Sequence, residues 1–167
     1  GGQREAYGKR QYAIPANVLH IEEHFLESAW QPGAAVSTAR REGSREVMRD
    51  LHRFLHHPDE PTAEQGQAVL EMLAHGTLSL DDVLHSKASW EAITDGYARH
   101  CSDPSFVNYF WTLRTMQAPI LMLAEAARRL PPARVLHSIS TGYAGLLGSI
   151  LQQRWQCSYL LSEHGIY

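Results

Sequence analysis

Cysteine is scarce in this sequence: 167 residues contain two, Cys101 and Cys157. So wide a separation gives neither a disulfide framework nor a CxxC metal knuckle, and it suits a reducing compartment. Positive charge is not in excess either. The formal net charge is -3, which argues against nucleic acid as the main partner, because phosphate binding needs clustered cations. A signal peptide and a membrane span are both missing. The longest apolar region, Phe106 to Ala127, is interrupted by Asn108, Arg114, Gln117 and Glu125. It reads as a buried or amphipathic helix pair. No tract is of low complexity and no internal repeat occurs. A full glycine phosphate loop is lacking too: "STGYAG" has no first glycine for GxGxxG, so an unrelated Rossmann-like nucleotide binder is poorly supported. The first residue is Gly rather than Met, and the chain closes on "SEHGIY". Both ends are expected to be cuts in a longer protein.

What is present is ordinary globular material, 44% hydrophobic and 20% charged, and long enough for one domain with a core. Residues 1–16 are polar and turn-rich. "NVLHIEEHFL" (Asn17 to Leu26) alternates and is expected as a strand. The middle reads as helical. "SREVMRDLHRFLHH" carries Val47, Leu51, Phe54 and Leu55 at helical spacing, and Pro58 stops it. "TAEQGQAVLEMLAHG" runs from an N-cap at Thr62 to a stop at Gly76. "SLDDVLHSKASWEAITDGYARHC" gives one or two short helices, and "SFVNYFWTLRTMQ" gives another. Pro119 is expected to start or kink a further segment, "PILMLAEAARRL".

From residue 131 the pattern changes. "RVLHSIS" is a strand, "TGYAGLLGSILQQRW" a helix and "CSYLLS" a second, buried strand. Strand, helix and strand in close succession make a βαβ unit with parallel strands. Ligands in such sheets bind beyond the carboxyl ends of the strands. The loops at Ser140 to Tyr143 and Ser162 to Tyr167 should therefore share one rim. Gly142 would bring backbone N–H groups of a helix N-terminus toward an anion or a sugar hydroxyl. His164 titrates near neutrality, Glu163 accepts from hydroxyls, and Gly165 permits a tight turn. Each also has a plain structural use. His164 can be a hydrogen-bonded structural residue, and Gly142 and Gly145 can serve close helix–sheet packing.

Weaker signals are read as structural. "HIEEH" (His20 to His24) resembles a zinc motif with its glutamates misplaced. His52 and His56 stand at metal-ligand spacing on a helix, but fit exposed histidines on a polar face. Cys157 is expected to pack, and Tyr109, Phe110 and Trp111 to lie in the core. Arg40, Arg41, Arg45, Arg49 and Arg53 form a solvated helix face that could also dock a partner.

"FWTLRTMQAPILMLAEAARRLPPARVLHSISTGYAGLLGSILQQRW" followed by "YLLSEHGIY" resembles the glycosyltransferases of Pel-type exopolysaccharide systems. The opening "GGQREAYGKRQYAIPANVLHIEEHFL" resembles the same family, and the match runs in order over most of the chain. The family's last motif is usually "TEHGIY"; here Ser162 replaces the threonine. The resemblance implies a family-4 retaining enzyme of the GT-B fold, with two Rossmann-like halves and a cleft between them. This α/β chain would be part of the N-terminal, acceptor-binding half. It would divide into strand and loops (1–42), a largely helical insertion (43–130) and the βαβ unit with cleft loops (131–167). The family's leading strand, its "GGV" loop and the donor half with E-x7-E carboxylates are not in this sequence.

By the same resemblance, His164 matches a histidine that approaches the transferred sugar. Glu163, Gly165 and Tyr167 share its loop, and Thr141, Gly142 and Tyr143 form the neighbouring cleft loop. The family implies a UDP-sugar donor and a glycan acceptor, with no metal and no other cofactor. UDP-glucose and UDP-N-acetylgalactosamine both stay open. It also implies a cytoplasmic protein, peripheral at the inner membrane through membrane-embedded synthase partners. The alternative is a non-catalytic module that docks onto such a synthase through its helical insertion.

Overall fold

The computed structural model describes residues 13–24, 48, 50–52, 54, 63–76, 78–101 and 105–163. Seven elements follow in order: α1 (Ala63–His75), α2 (Leu80–His85), α3 (Lys87–His100), α4 (Phe106–Arg129), β1 (Val135–Ser138), α5 (Gly142–Trp155) and β2 (Ser158–Leu161). Met48, Asp50, Leu51, His52 and Phe54 are also helical. The described residues are mostly helical, with one small two-stranded sheet among them.

Local signals set the helix ends. α1 stops where Gly76 takes φ +69, a backbone state that only glycine adopts without strain. α2 begins with a capping box. Ser79 Oγ accepts from the Asp82 N–H, and the Asp82 carboxylate accepts from the Ser79 N–H. Ser86 both ends α2 and caps α3 by accepting from the Ser89 N–H. Two separate helices therefore replace what could have been one.

The expected helix pair at 106–130 is a single helix of 24 residues with Pro119 inside it. Proline removes one backbone bond, the one that would reach the Thr115 carbonyl. Thr115 is exposed, so water can serve that carbonyl, while Pro119 itself is buried. Burial of one long face holds the helix together across the proline.

The core is built between helices. Met48, Leu51, Leu73, Ala74, Leu78, Val83, Leu121, Ala124, Ala127, Ile150 and Leu151 form one cluster. Small residues on α4 let its neighbours approach closely. At α1's carboxyl end, Arg154 of α5 donates from Nη1 to the Ala74 carbonyl at 2.5 Å, placing a cation where the helix dipole is negative.

The sheet lies at the margin of this core. β1 and β2 pair in parallel, with Val135 opposite Ser158 and Ser138 opposite Leu161. α5 packs on one face. Tyr159 reaches from β2 under α5 and donates to the Gly145 carbonyl at 3.0 Å. Gly148 makes room for its ring, since a Cβ there would stand 2.4 Å from Tyr159 Cζ. The close-packing glycine is thus Gly148. Gly142 has open space around it, and Gly145 sits at ordinary contact distance. Val135 and Leu160, on the opposite face, are exposed.

Several expectations are corrected. Residues 17–24 form no strand; they are irregular and largely exposed, with Leu19 95% exposed. No described strand lies beside them to satisfy their backbone, so alternation alone does not make a ladder. β2 is not buried, and Cys157 before it is only partly covered, because among the described residues only one face of the sheet carries a helix. Trp111 is half-exposed rather than core: α4 turns Leu113, Arg114 and Gln117 inward and leaves Trp111 outside. Phe110 and Tyr109 are partly buried.

Candidate functional site at the carboxyl ends of the parallel strands

Parallel pairing sends both strands out of the sheet at the same end. The Ser162 N–H donates to the Ser138 carbonyl at 2.8 Å, one step beyond the ladder. The loop after β1 and the loop after β2 are thereby held side by side. His137 Nε2 and Ser162 Oγ share a hydrogen bond of 2.9 Å across the pair.

The first loop is shaped by Ser138. Its side chain is buried, and its hydroxyl donates to the Ser140 carbonyl at 2.5 Å while the Ser140 N–H approaches it at 3.5 Å. This local turn swings the backbone up and leaves Ile139, Ser140, Thr141, Gly142 and Tyr143 exposed. Gly142 takes φ +51 with nothing within 4 Å of the place a Cβ would occupy. Glycine is needed there for backbone conformation, not for space.

α5 starts at Gly142 with no side-chain cap from Thr141 and no acidic residue in its first turn. The first N–H groups of a helix have no partner within it. They carry the positive end of the dipole and open onto the rim beside Ser140 and Tyr143. Such an end can receive an anion or an array of hydroxyls. Glu163, exposed after β2, adds an acceptor from the other loop.

The structure thus brings Thr141, Gly142, Tyr143 and Glu163 to one rim. His164, Gly165 and Tyr167 lie outside the described residues, as do Arg40, Arg41, Arg45, Arg49 and Arg53. His137 and Ser138 were not singled out from the sequence, yet they fix the two loops to each other. The available signal was the alternation in "RVLHSIS", which sets Leu136 and Ser138 on one face and His137 on the other.

Elsewhere, Glu22 lies between His20 and His24, with each Nε2 at 2.8 Å from one carboxylate oxygen. Hydrogen bonds from His20 and then His24 hold the Glu22 carboxyl below its ordinary range. Among the described residues no cluster of His, Cys, Asp or Glu is arranged to hold a metal. Nor, among them, is any helix long and apolar enough to cross a membrane.

Fold and rim together define the class: a helical layer on a βαβ unit whose two loops and open helix N-terminus meet at one edge. The family is shown by direct comparison. A family described as a domain of unknown function (DUF3492) matches residues 1–167, and the chain belongs to it. No curated protein and no solved structure matches the chain.

Proposed function

We propose that this chain is the acceptor-side part of a retaining, nucleotide-sugar-dependent glycosyltransferase that builds a Pel-type exopolysaccharide. The observation that carries the reading is the rim. The loops in which the family resemblance is strongest, "SISTGY" and the start of "SEHGIY", leave one end of the parallel pair, tied by the Ser162–Ser138 bond. In the Rossmann-like half of a GT-B enzyme that end faces the cleft.

In this reading a UDP-sugar is held by a donor half outside these residues. The open N-terminus of α5 and the Thr141–Tyr143 loop bind hydroxyls of the acceptor or transferred sugar. His164 hydrogen-bonds the transferred sugar or orients the acceptor, with Glu163 beside it. The acceptor hydroxyl attacks on the face that the diphosphate leaves, and the diphosphate takes up its proton. Configuration at the anomeric carbon is retained. Cationic side chains and helix dipoles of the donor half neutralise the leaving group. The protein works in the cytoplasm, at the inner membrane through synthase partners.

The test uses the enzyme that carries this chain together with its donor half. UDP release is followed with UDP-glucose and UDP-N-acetylgalactosamine, for wild type and His164→Ala at matched folding. A loss of about a hundredfold, the scale of one key polar transition-state contact, is expected. Unchanged release removes His164 from the chemistry. No release from wild type with any UDP-sugar overturns the glycosyltransferase reading.

A docking role for the helical insertion has its own supporting observation. Trp90, Val107, Trp111 and Met116 of α3 and α4 are all exposed, an apolar series unusual on a solvent face. Trp111→Glu separates the two roles: it would detach the protein from its membrane partner while leaving UDP release intact.

A further inference from the structure

Away from the rim, the exposed side of α4 has an order of its own. In the first three turns of this helix, Val107, Asn108, Trp111, Thr112, Thr115 and Met116 are exposed. At about 3.6 residues per turn these positions form one continuous stripe. Asn108 and Thr115 run along its middle, one above the other. Val107 and Trp111 line one flank, and Thr112 and Met116 line the other. None of the six is charged. The charged residue in this stretch, Arg114, is turned inward and is 3% exposed.

The large rings of this region are held from behind. Trp90 of α3 and Trp111 are about half-exposed. Trp90 packs 5.6 Å from Phe106 and 5.9 Å from Phe110, and Trp111 packs 5.3 Å from Phe110. Rings already fixed in place lose little freedom on binding, which suits them as anchors of an interface. The ions of the neighbouring α3 are paired along their own helix, Lys87 with Glu91 at 3.2 Å and Asp95 with Arg99 at 3.7 Å.

Such a face matches itself. A two-fold interface uses the same patch on both copies, and a residue beside the axis meets its own counterpart. A charge there would face a like charge, so a stripe without charge is what the axis requires. Lay two copies of α4 antiparallel about a two-fold between Trp111 and Thr112. Asn108 of each copy then stands opposite Thr115 of the other, an amide against a hydroxyl, and each group can donate and accept. The two Trp111 rings meet on one side of the axis and the two Thr112 side chains on the other. We propose that this face of α4 seats a second copy of the chain, antiparallel, with Trp111 as its anchor. The stripe is only about 13 Å long. Association is therefore expected at roughly micromolar protein. The dimer does not depend on the glycosyltransferase reading.

The test is sedimentation of the intact protein, purified without any other component, over a range of concentrations. A reversible dimer is expected. Trp111→Glu should weaken it by about a thousandfold, because both anchors are lost at once. Thr112 gives the sharper test, since this exposed side chain stands outside the ring cluster. Thr112→Lys and Thr112→Asp should each be monomeric where the wild type is dimeric, with thermal melts like the wild type. An equal mixture of the two should recover the dimer, which happens only where position 112 meets its own copy. A wild-type monomer at roughly 200 µM, a dimer unmoved by Thr112→Lys, or a mixture that stays monomeric overturns the proposal. A different protein seated on this face gives the first of those results.

Discussion

Replacing Arg114 with methionine should cost little, although the guanidinium is almost fully buried. Arg114 is 3% exposed and faces no carboxylate in the described structure. Its Nη1 donates to the Val83 carbonyl and, at 3.0 Å, to Ser89 Oγ. Val83 lies in the last turn of the six-residue α2, where the carbonyls have no helical donor. The cation therefore caps α2 from a different helix. Its carbon Cζ also sits 5.1 Å from the centre of the Phe110 ring.

Two terms oppose each other. Burial drags the guanidinium from its ordinary value down to about 10, which at about 1.4 kcal/mol per tenfold amounts to a cost of about 3 kcal/mol. Against it stand two charge-assisted bonds, each about 1.5–3 kcal/mol, and a cation–π contact of about 1 kcal/mol. The net gain is about 1–4 kcal/mol. Methionine keeps the volume and abolishes the burial cost. Ser89 Oγ still donates to the Val83 carbonyl at 2.5 Å, so no carbonyl is orphaned. Arg114→Met should therefore destabilise by about 1–2 kcal/mol, a Tm fall of roughly 2–8 °C for a chain of this size. Ser89→Ala should cost about 1–2 kcal/mol alone, and the two changes should be coupled by about 1 kcal/mol. Urea denaturation of both singles and the double measures all three. A loss above about 4 kcal/mol for Arg114→Met, or strict additivity with Ser89→Ala, would refute the reasoning. No pH dependence between 5 and 9 should come from this residue, because its lowered value still lies above that window.

Gly148→Ala should destabilise by about 1–3 kcal/mol through overpacking, since the new methyl meets the Tyr159 ring; in a Tyr159→Leu background most of that cost should vanish in the same thermal melt, and its persistence there would refute the overpacking account. For the exposed His20–Glu22–His24 clip, the Glu22 carboxyl should titrate below an ordinary glutamate by NMR. A carboxyl lowered in the folded chain favours order above its ordinary value and loses that effect as the pH falls through the lowered one. His20→Gln should move the midpoint upward more than His24→Gln, the order of their contributions.

Legibility of the sequence followed the range of the interactions involved. The βαβ unit could be read because β-branched runs, Gly142 and the helical period are local signals, and the strands fell within a residue or two of expectation. α1 could be read for the same reason, down to Gly76. The single α4 could not: Pro119 is a strong local break, and what overrides it is burial against other helices. His52 failed similarly. Its neighbours in sequence are charged, while its partners Tyr109 and Gln117 lie 57 and 65 residues away. Arg114 looked like an interruption of a greasy stretch; its role depends on a carbonyl 31 residues away. At the rim, the exposed loops were legible but the residues that fasten them, His137 and Ser138, were not, because ordinary strand residues gain that role only through parallel register.

These failures share a cause that bears on the rim. α5 begins at the site, with Gly142, and ends in the helical core, where Arg154 reaches the Ala74 carbonyl and Ile150 is fully buried. Its other face rests on Tyr159 of β2 through Gly148. The direction of its free N–H groups at Gly142 and Tyr143 is therefore set from two sides, by the sheet and by the helical layer. A loop tip alone would not hold backbone donors to the sub-ångström tolerance that recognition of a hydroxyl or an oxyanion demands; a helix clamped along its length can. In the proposed reading the helical layer thus positions the rim from a distance. If the rim binds a ligand as proposed, core substitutions such as Gly148→Ala should weaken that binding alongside stability, whereas Gly142→Ala, in open space with a strained φ, should disturb the rim and leave the core intact.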